Sequence, residues 1–600
     1  MSLVLEGRLS ATAWIRYRIA KLRSNPLPML AVLATIVFVY LIVGPVVSVL
    51  QAAFVAHATD PGVNAPDGAF TLSYWDRMVV SAQAGRLFWT PFIHTVQLML
   101  LSTVLAIGLG VIGGWLVSRT DVYFGRVWTG LLMTAYMIPS WAFAKSWMDI
   151  FKNDNAAGSP GFLQGLGIVT PDWLAYGLFP SALIIALHRF PLVMMLAGDA
   201  LSRVDSAQEE SARLLGASRR VVLTNVMLPA IRPALLSATI LMIANAAGDF
   251  GVPYVLGLPV RWNVLATTLY GELRNDRQGT ASVIAIVITV IGVALICADA
   301  LLSRNAKRFE TVRGGTTKHE PVRLGAGRVI GAIFLGIITL VSLGMPLLVL
   351  LGSTFIANRK DGGGFTLDYW WFGTDDRDFR VGLLRMGEFW TGLWNTVWVA
   401  ALAASICAVI GLVCGVLIKN SPGRVGFALR QITFLPHLLP GIALAAGLIT
   451  LFVVPRGPIP ALYGTFAIII IGMVISELPF TTRVGVSAVS QLGGELEDAA
   501  RMSGAGWFTS LRRAVAPLLA GAFSTAFVFP FISCMKDLTL IVMLASLTMP
   551  FLPSLALDLG EKGIDQAGNG VTLVITLIAI IGGIITRRLA RESAGAAIAA

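Results

Sequence analysis

The chain has 600 residues, 56% of them hydrophobic and only 13% charged, against ~25% charge in an ordinary soluble domain. Its net charge of +12 is read as lysine and arginine holding loops on the cytoplasmic side rather than as a nucleic-acid surface, and no nucleic-acid partner is expected. The four cysteines, Cys297, Cys407, Cys414 and Cys534, sit in apolar runs without a CxxC pair, which indicates neither a disulfide framework nor a metal site.

Many nearly uncharged runs reach 18 residues or more, enough for a helix to cross a ~30 Å hydrocarbon layer. In lipid the backbone must satisfy its own hydrogen bonds, which selects helices. The alternating ten-residue strands of a membrane barrel are absent. The predicted class is an all-α polytopic membrane protein with about twelve transmembrane helices. Residues 1–27 carry Arg8, Arg16, Arg18, Lys21 and Arg23 against one acid, Glu6. The apolar run that follows is too long for a signal core and is expected to be a retained first span. Six spans are predicted near 28–52, 91–118, 127–150, 174–198, 234–257 and 280–302, forming a first module over 28–302. A linker, 303–328, holds Arg304, Lys307, Arg308, Arg313, Lys318, Arg323 and Arg328 against Glu310 and Glu320. Six more spans near 329–352, 394–418, 426–453, 461–484, 521–546 and 571–586 form a second module over 329–586. The tail, 587–600, adds Arg587, Arg588 and Arg591. The positive-inside rule places both termini and the linker in the cytoplasm, and the longer loops 53–90 and 353–393 outside.

The modules repeat each other. "FTLSYW" at 70–75 returns as "FTLDYW" at 365–370. Pro45, Phe54 and His94-Thr95 answer to Pro346, Phe355 and Asn395-Thr396, all 301 positions on. Pro191, Gly216, Pro229 and Asp249 answer to Pro479, Gly504, Pro517 and Asp537, all 288 positions on. The change in offset puts about 13 extra residues in the first module, and "NDNAAGSPGFLQG" at 153–165 is the expected insertion. Six spans per module is an even number, so the repeats should be parallel and related by an axis along the membrane normal.

A charged, helix-forming segment follows the fourth span of each module, over about 205–233 and 493–521. The first has Glu210-Ser211-Ala212, then Gly216 and Leu228-Pro229; the second has Asp498-Ala499-Ala500, then Gly504 and Ala516-Pro517. The acids suit a first helical turn, the glycine a helix end, and the proline the start of the next helix. A plain connector would not need this spacing twice.

The pattern resembles the EAA loop, EAA–x3–G–x9–I–x–LP, of permease subunits of bacterial ATP-binding-cassette importers. Glu210, Ala212, Gly216, Leu228 and Pro229 match it, with Ser211 and Val226 as departures. Ala499, Ala500, Gly504 and Pro517 match it again, with Asp498, Ala514 and Ala516 as departures. "GDFGVPYVLG" at 248–257 and "MKDLTLIVML" at 535–544 look like the two signatures of fused ferric-iron permeases; the second is usually K-E-L-P-x-T, so Asp537 replaces the glutamate and the proline is missing. The resemblance covers nearly all of both halves. It implies two type I importer permease modules in one chain of the bacterial inner membrane. It also implies two copies of a cytoplasmic ATPase docked on the two loops, and a periplasmic binding protein that delivers the solute. ATP and magnesium would belong to the ATPase, with no cofactor on this chain. Ferric iron is the implied cargo, with thiamine, polyamine and aminoethylphosphonate permeases sharing much of the pattern. A twelve-helix transporter driven by an ion gradient would also explain the duplication, but not the paired cytoplasmic inserts.

Five ionisable residues fall inside predicted spans: Arg189, Asp249, Glu477, Lys536 and Asp537. Such residues are costly in lipid and usually face the bundle interior or a wet cavity. Arg189 and Glu477 are repeat equivalents, as are Asp249 and Asp537. They are candidates for the translocation path or its gate; the alternative is that Arg189–Glu477 and Lys536–Asp537 are neutralising pairs. His188 reads as a structural, hydrogen-bonded histidine. The chain has no G-x-x-x-x-G-K-[ST] phosphate loop, and neither an HExxH motif nor a nucleophile elbow is recognisable, so it is expected not to be an enzyme and to hold no catalytic or metal site.

Overall fold

The computed structural model describes residues 27–57, 60, 65–157, 159–202, 204, 211–212, 214–303, 321–357, 364–374, 379–421, 423–455, 457, 459–492, 502, 509, 512–513, 516–546 and 548–599. These residues form helices, joined by loops that hold a few isolated β-bridges.

The first half runs α1 (Met29–Ala52), α2 (Ser73–Val79), α3 (Gly85–Arg119), α4 (Gly125–Ala135), α5 (Ser140–Phe151), α6 (Leu178–Ser202), α7 (Leu228–Ala247), α8 (Gly251–Gly257), α9 (Leu265–Arg274) and α10 (Gln278–Ser303). The second half follows with α11 (Gly327–Ser353), α12 (Gly387–Asn420), α13 (Arg424–Phe434), α14 (Gly441–Phe452), α15 (Phe466–Gln491), α16 (Ala520–Met535), α17 (Leu538–Leu544), α18 (Leu552–Glu561) and α19 (Asp565–Ala599). Among the described residues nine helices are long and apolar enough to span a membrane, or up to eleven if each bent pair counts once.

Four of the twelve predicted spans are therefore not single helices. The run expected near 127–150 is α4 and α5, and that near 426–453 is α13 and α14, bent by 107°. Both breaks end on a proline in nearly the same extended conformation, Pro139 (φ −57°, ψ 137°) and Pro440 (φ −55°, ψ 138°). The runs near 234–257 and 521–546 break before α8 and α17, the second by 62°. A hydropathy pattern sees only apolar content; these breaks come from one or two residues that cap or stop a helix.

Small residues let the helices approach closely. A Cβ on Gly110 would lie 2.6 Å from Val193, and one on Gly114 2.8 Å from the Met194 carbonyl, where α3 packs on α6. Their equivalents Gly411 and Gly415 do the same for α12 on α15, against Thr481 and Gly485. The repeated His94-Thr95 and Asn395-Thr396 also gain a role. Thr95 and Thr396 Oγ1 accept the Leu265 and Leu552 amides at 2.9 Å, holding the starts of α9 and α18.

The first span of each half crosses to the other half. α1 packs on α12, α13 and α14, while α11 packs on α4, α5 and α19. The Ser48 hydroxyl donates to the Gly447 carbonyl at 3.1 Å, and a Cβ on Gly447 would strike Pro45 at 2.8 Å. In the mirrored contact the Ser146 hydroxyl donates to the Pro346 carbonyl at 3.4 Å. A π-helical turn precedes each proline, Val39–Val43 and Leu340–Gly344, because a proline mid-helix has no N–H to give and crowds the turn before it.

Candidate functional site

The four helix breaks converge. The 136–139 and 435–440 turns and the starts of α8 and α17 line a cavity of about 510 Å³ between the halves. Four of the five predicted path residues, Arg189, Asp249, Lys536 and Asp537, line it; Glu477 does not, though its neighbour Ser476 does.

Asp249 and Asp537 serve the same local purpose. Asp249 Oδ1 accepts the Val252 amide at 3.1 Å and Asp537 Oδ1 accepts the Leu540 amide at 2.8 Å. Each carboxylate thus satisfies an orphan donor at the start of a half-helix. A short acid fits this N-cap better than glutamate, which gives a physical reason for Asp537 in place of the resembled signature's glutamate.

The alternative weighed from the sequence, Arg189–Glu477 and Lys536–Asp537 as neutralising pairs, finds no ion-pair contact. Arg189 Nη2 stands 3.9 Å from Asp249 Oδ2, and its Nη1 donates to Asn245 Oδ1 at 2.9 Å. Its partners thus lie within its own half, and Glu477 instead faces the Ser533 side chain. Lys536 makes no ion pair with Asp537, whose Oδ1 accepts the Leu540 amide of its own helix. The Lys536 ammonium donates to the Tyr136 carbonyl at 3.1 Å and lies 4.8 Å from the Tyr136 ring centre. His188 is hydrogen-bonded as expected, Nε2 meeting the Ile138 carbonyl at 2.9 Å and the ring stacking on Tyr136 at 5.2 Å, and it too lines the cavity.

Two cross-half contacts border the cavity, and they are repeat equivalents. Gly248 packs on Pro440, where a Cβ would lie 2.5 Å from the ring. Lys536, 288 positions after Gly248, reaches the turn that ends at Pro139, 301 positions before Pro440. The Trp141 indole N–H adds a bond to the Lys536 carbonyl at 3.2 Å. Sequence reasoning missed Tyr136, Trp141, His437 and Arg483, which also line the cavity. Tyr136 and His437 stand 301 apart, as do Pro139 and Pro440; that spacing was the signal available for them.

Of the two duplicated polar segments, the first is described in part. Gly216 has φ +87°, and the Ala217 amide reaches back to the Ala212 carbonyl at 3.0 Å. This is a Schellman-type helix end that glycine suits. Leu201, Val204, Val222, Met227 and Ile231 make a small separate core under it, with Ala212 packed alongside. Leu214 and Leu215 project outward, 89% and 88% exposed, with Ser211 exposed beside them. Leu228 and Pro229 begin α7. In the second segment Met502, the equivalent of Leu214, is 90% exposed, and Pro517 lies in the turn Ala516–Leu518. Glu210, Asp498, Ala499, Ala500 and Gly504 lie outside the described residues.

Two bundle-like halves thus enclose a polar cavity, and outward apolar side chains sit at repeat-equivalent places on the loops after α6 and α15. Residues 106–308 and 407–592, more than half the chain, match the family described as binding-protein-dependent transport system inner membrane component. The chain belongs to that family, and its long apolar helices fit a multi-pass inner membrane component. A ferric transport system permease protein of Actinobacillus pleuropneumoniae is 25% identical over 69% of this chain and 59% of its own length. A Haemophilus influenzae protein named an Fe(3+)-transport system permease is 21% identical over 76% of this chain and 80% of its own. A molybdenum transport system permease protein of Escherichia coli is 28% identical over 24% and 64%. The chain spans about three fifths of the length of the first of these relatives.

Proposed function

We propose that this chain is the membrane subunit of an ATP-driven importer of ferric iron, with both permease modules fused. The observation that carries the reading is the cavity between the halves, walled by repeat-related broken helices. Interrupted helices meeting at a repeat interface are a common way to build a transport site in a membrane. The similarity to relatives named for ferric transport supports iron as cargo. The linker and both termini face the cytoplasm, as the charge distribution favours. The segments over 205–233 and 493–521 each dock one copy of a cytoplasmic ATPase, Leu214 and Met502 being the apolar anchors. A periplasmic binding protein delivers the cargo on the opposite face. ATP binding draws the two docked segments together and opens the cavity outward, and hydrolysis resets it. The chain itself supplies no ATPase site and no cofactor.

The test is uptake of ⁵⁵Fe by proteoliposomes holding this chain with its ATPase and binding protein. Uptake should require ATP, the ATPase and the binding protein together. Uptake that ran without the ATPase and followed a proton gradient would sink the reading in favour of a secondary transporter.

A further inference from the structure

The charged groups around the cavity divide into those already committed and those not. Both lining carboxylates are committed. Asp249 accepts the Val252 amide and faces Arg189, and Asp537 accepts the Leu540 amide. The cations are held more loosely. Arg483 lies 4.5 Å from the Phe434 ring centre, and neither it nor Lys536 has a carboxylate within ion-pairing distance among the described residues. Arg189 keeps a buried Nε with no hydrogen-bond partner. The starts of the twelve-residue helices α5 and α14, Ser140 and Gly441, face the same space and add the positive end of each dipole. Among the described residues no group of three or more His, Cys, Asp and Glu is arranged to hold a metal ion.

A bare trivalent cation would meet two cations with no carboxylate at ion-pairing distance, and lining carboxylates already occupied. An oxyanion would meet the reverse. A carbonyl and an aromatic face are weak partners for an ammonium or guanidinium. A charge-assisted bond to an oxyanion is roughly twice as strong as a neutral one. We infer that the cavity takes its cargo through an oxyanion, either coordinated to the metal or travelling free, with Lys536 and Arg483 as the receiving groups. This rests on the reading of the cavity as the transport path. Lys536 then has a second consequence. It is the polar one of the two cross-half contacts that border the cavity, so an oxyanion that draws its ammonium from the Tyr136 carbonyl also loosens that contact between the halves. The equivalent Gly248–Pro440 contact has no such release.

The test uses the complete importer in proteoliposomes. Four loads are offered: ⁵⁵Fe-[¹⁴C]citrate, ⁹⁹Mo-molybdate, ³⁵S-sulfate and [¹⁴C]spermidine. The variants are Lys536→Met, Lys536→Arg, Arg483→Met and the double Met variant, each checked for co-purification with the ATPase. An oxyanion-bearing load should enter. The double Met variant should lower its uptake tenfold or more, and Lys536→Arg should restore most of the loss. Entry of ⁵⁵Fe together with ¹⁴C-citrate would support both this inference and iron as cargo. Entry of molybdate or sulfate without iron would support the inference and overturn the iron reading. Entry of ⁵⁵Fe with citrate left outside, at an undiminished rate in the double Met variant, would overturn the inference and leave iron standing. Entry of spermidine alone would overturn both.

Discussion

Asp249 and Asp537 are carboxylates in an apolar region, and each is tied down by its own backbone. A buried acid without a partner would be costly, but each accepts an amide at the first turn of a half-helix. Removing such a cap typically costs about 1 kcal/mol. Asp537→Ala should lose about that much in unfolding by SDS from mixed micelles, while Asp537→Asn keeps most of it; Asp249→Ala should lose more, since it removes the cap and also the carboxylate that faces Arg189. Equal loss in Ala and Asn variants would mean that charge, not capping, matters. Arg189 presents a different case. Its guanidinium faces a carboxylate whose side chain is only 4% exposed, and breaking a buried pair from one side costs about 3 kcal/mol or more. Arg189→Met should therefore be the most damaging single change in the cavity, and adding Asp249→Asn should recover part of it. If Arg189→Met unfolds like the parent, the pair contributes nothing to stability.

At the scale of elements, the duplicated polar segments and the linker make different demands. Leu214 and Met502 are almost fully exposed, so replacing them removes no packing from this chain. If they anchor an ATPase, each can be worth about 2 kcal/mol of binding, a roughly thirtyfold loss of affinity. Leu214→Asp and Met502→Asp should weaken ATPase binding to detergent-solubilised permease by about that factor and leave unfolding unchanged; an unaltered affinity would remove them from the interface. Gly216→Pro should uncouple the same side, since proline cannot take φ +87°. The linker end is clasped to the loop after α3. Val322 and Arg119 share a backbone bond at 2.8 Å, the Leu324 amide donates to Asp121 Oδ1 at 2.9 Å, and Arg328 pairs with Asp121. Arg328 and that amide hold the Asp121 carboxyl down at about 2, below its ordinary 3.8. A carboxyl with a depressed folded value stabilises above its unfolded value and loses the effect as pH falls through the folded one. The clasp should hold at neutral pH and release between about pH 4 and pH 2, read as faster amide exchange at Leu324; Asp121→Asn should make that exchange fast at every pH.

The same elements explain what could be read in advance. The duplication, the duplicated loops and the intramembrane charges were legible because each recurs at a fixed offset, and repetition separates signal from composition. Pro139 and Pro440 recur too, but a single proline inside a long apolar run weighs little in a hydropathy window. The hydropathy pattern consequently shows four broken spans as continuous. The side-chain partners were not legible at all. Arg189 and Glu477 are equivalent positions, which suggests that they face each other, yet Arg189 meets Asp249 and Glu477 meets Ser533.

For the whole molecule, the crossing of α1 and α11 matters more than the covalent link. Each half lends its first span to the other, and the contacts are close: Pro45 seats against Gly447 with no room for a Cβ, and Ser48 and Ser146 each bond a carbonyl across the divide. In lipid, helix association depends on such packing and on interhelical hydrogen bonds rather than on hydrophobic burial. The linker then sets stoichiometry and order of assembly, but it need not hold the halves together. A protease site inserted between residues 310 and 318 tests this. After cleavage, the two fragments should co-purify in mild detergent and keep transport within about twofold of the uncut chain. Gly447→Leu should change the outcome, because a bulky side chain at the Pro45 seat forces α1 off α14. Overpacking of this kind typically costs about 1–3 kcal/mol; it should be tolerated in the intact chain, where the linker keeps the local concentration high, and should separate the fragments once the linker is cut. Separation of the parent fragments on cleavage would mean that the exchanged spans are too weakly held to join the halves, and that the linker is structurally required.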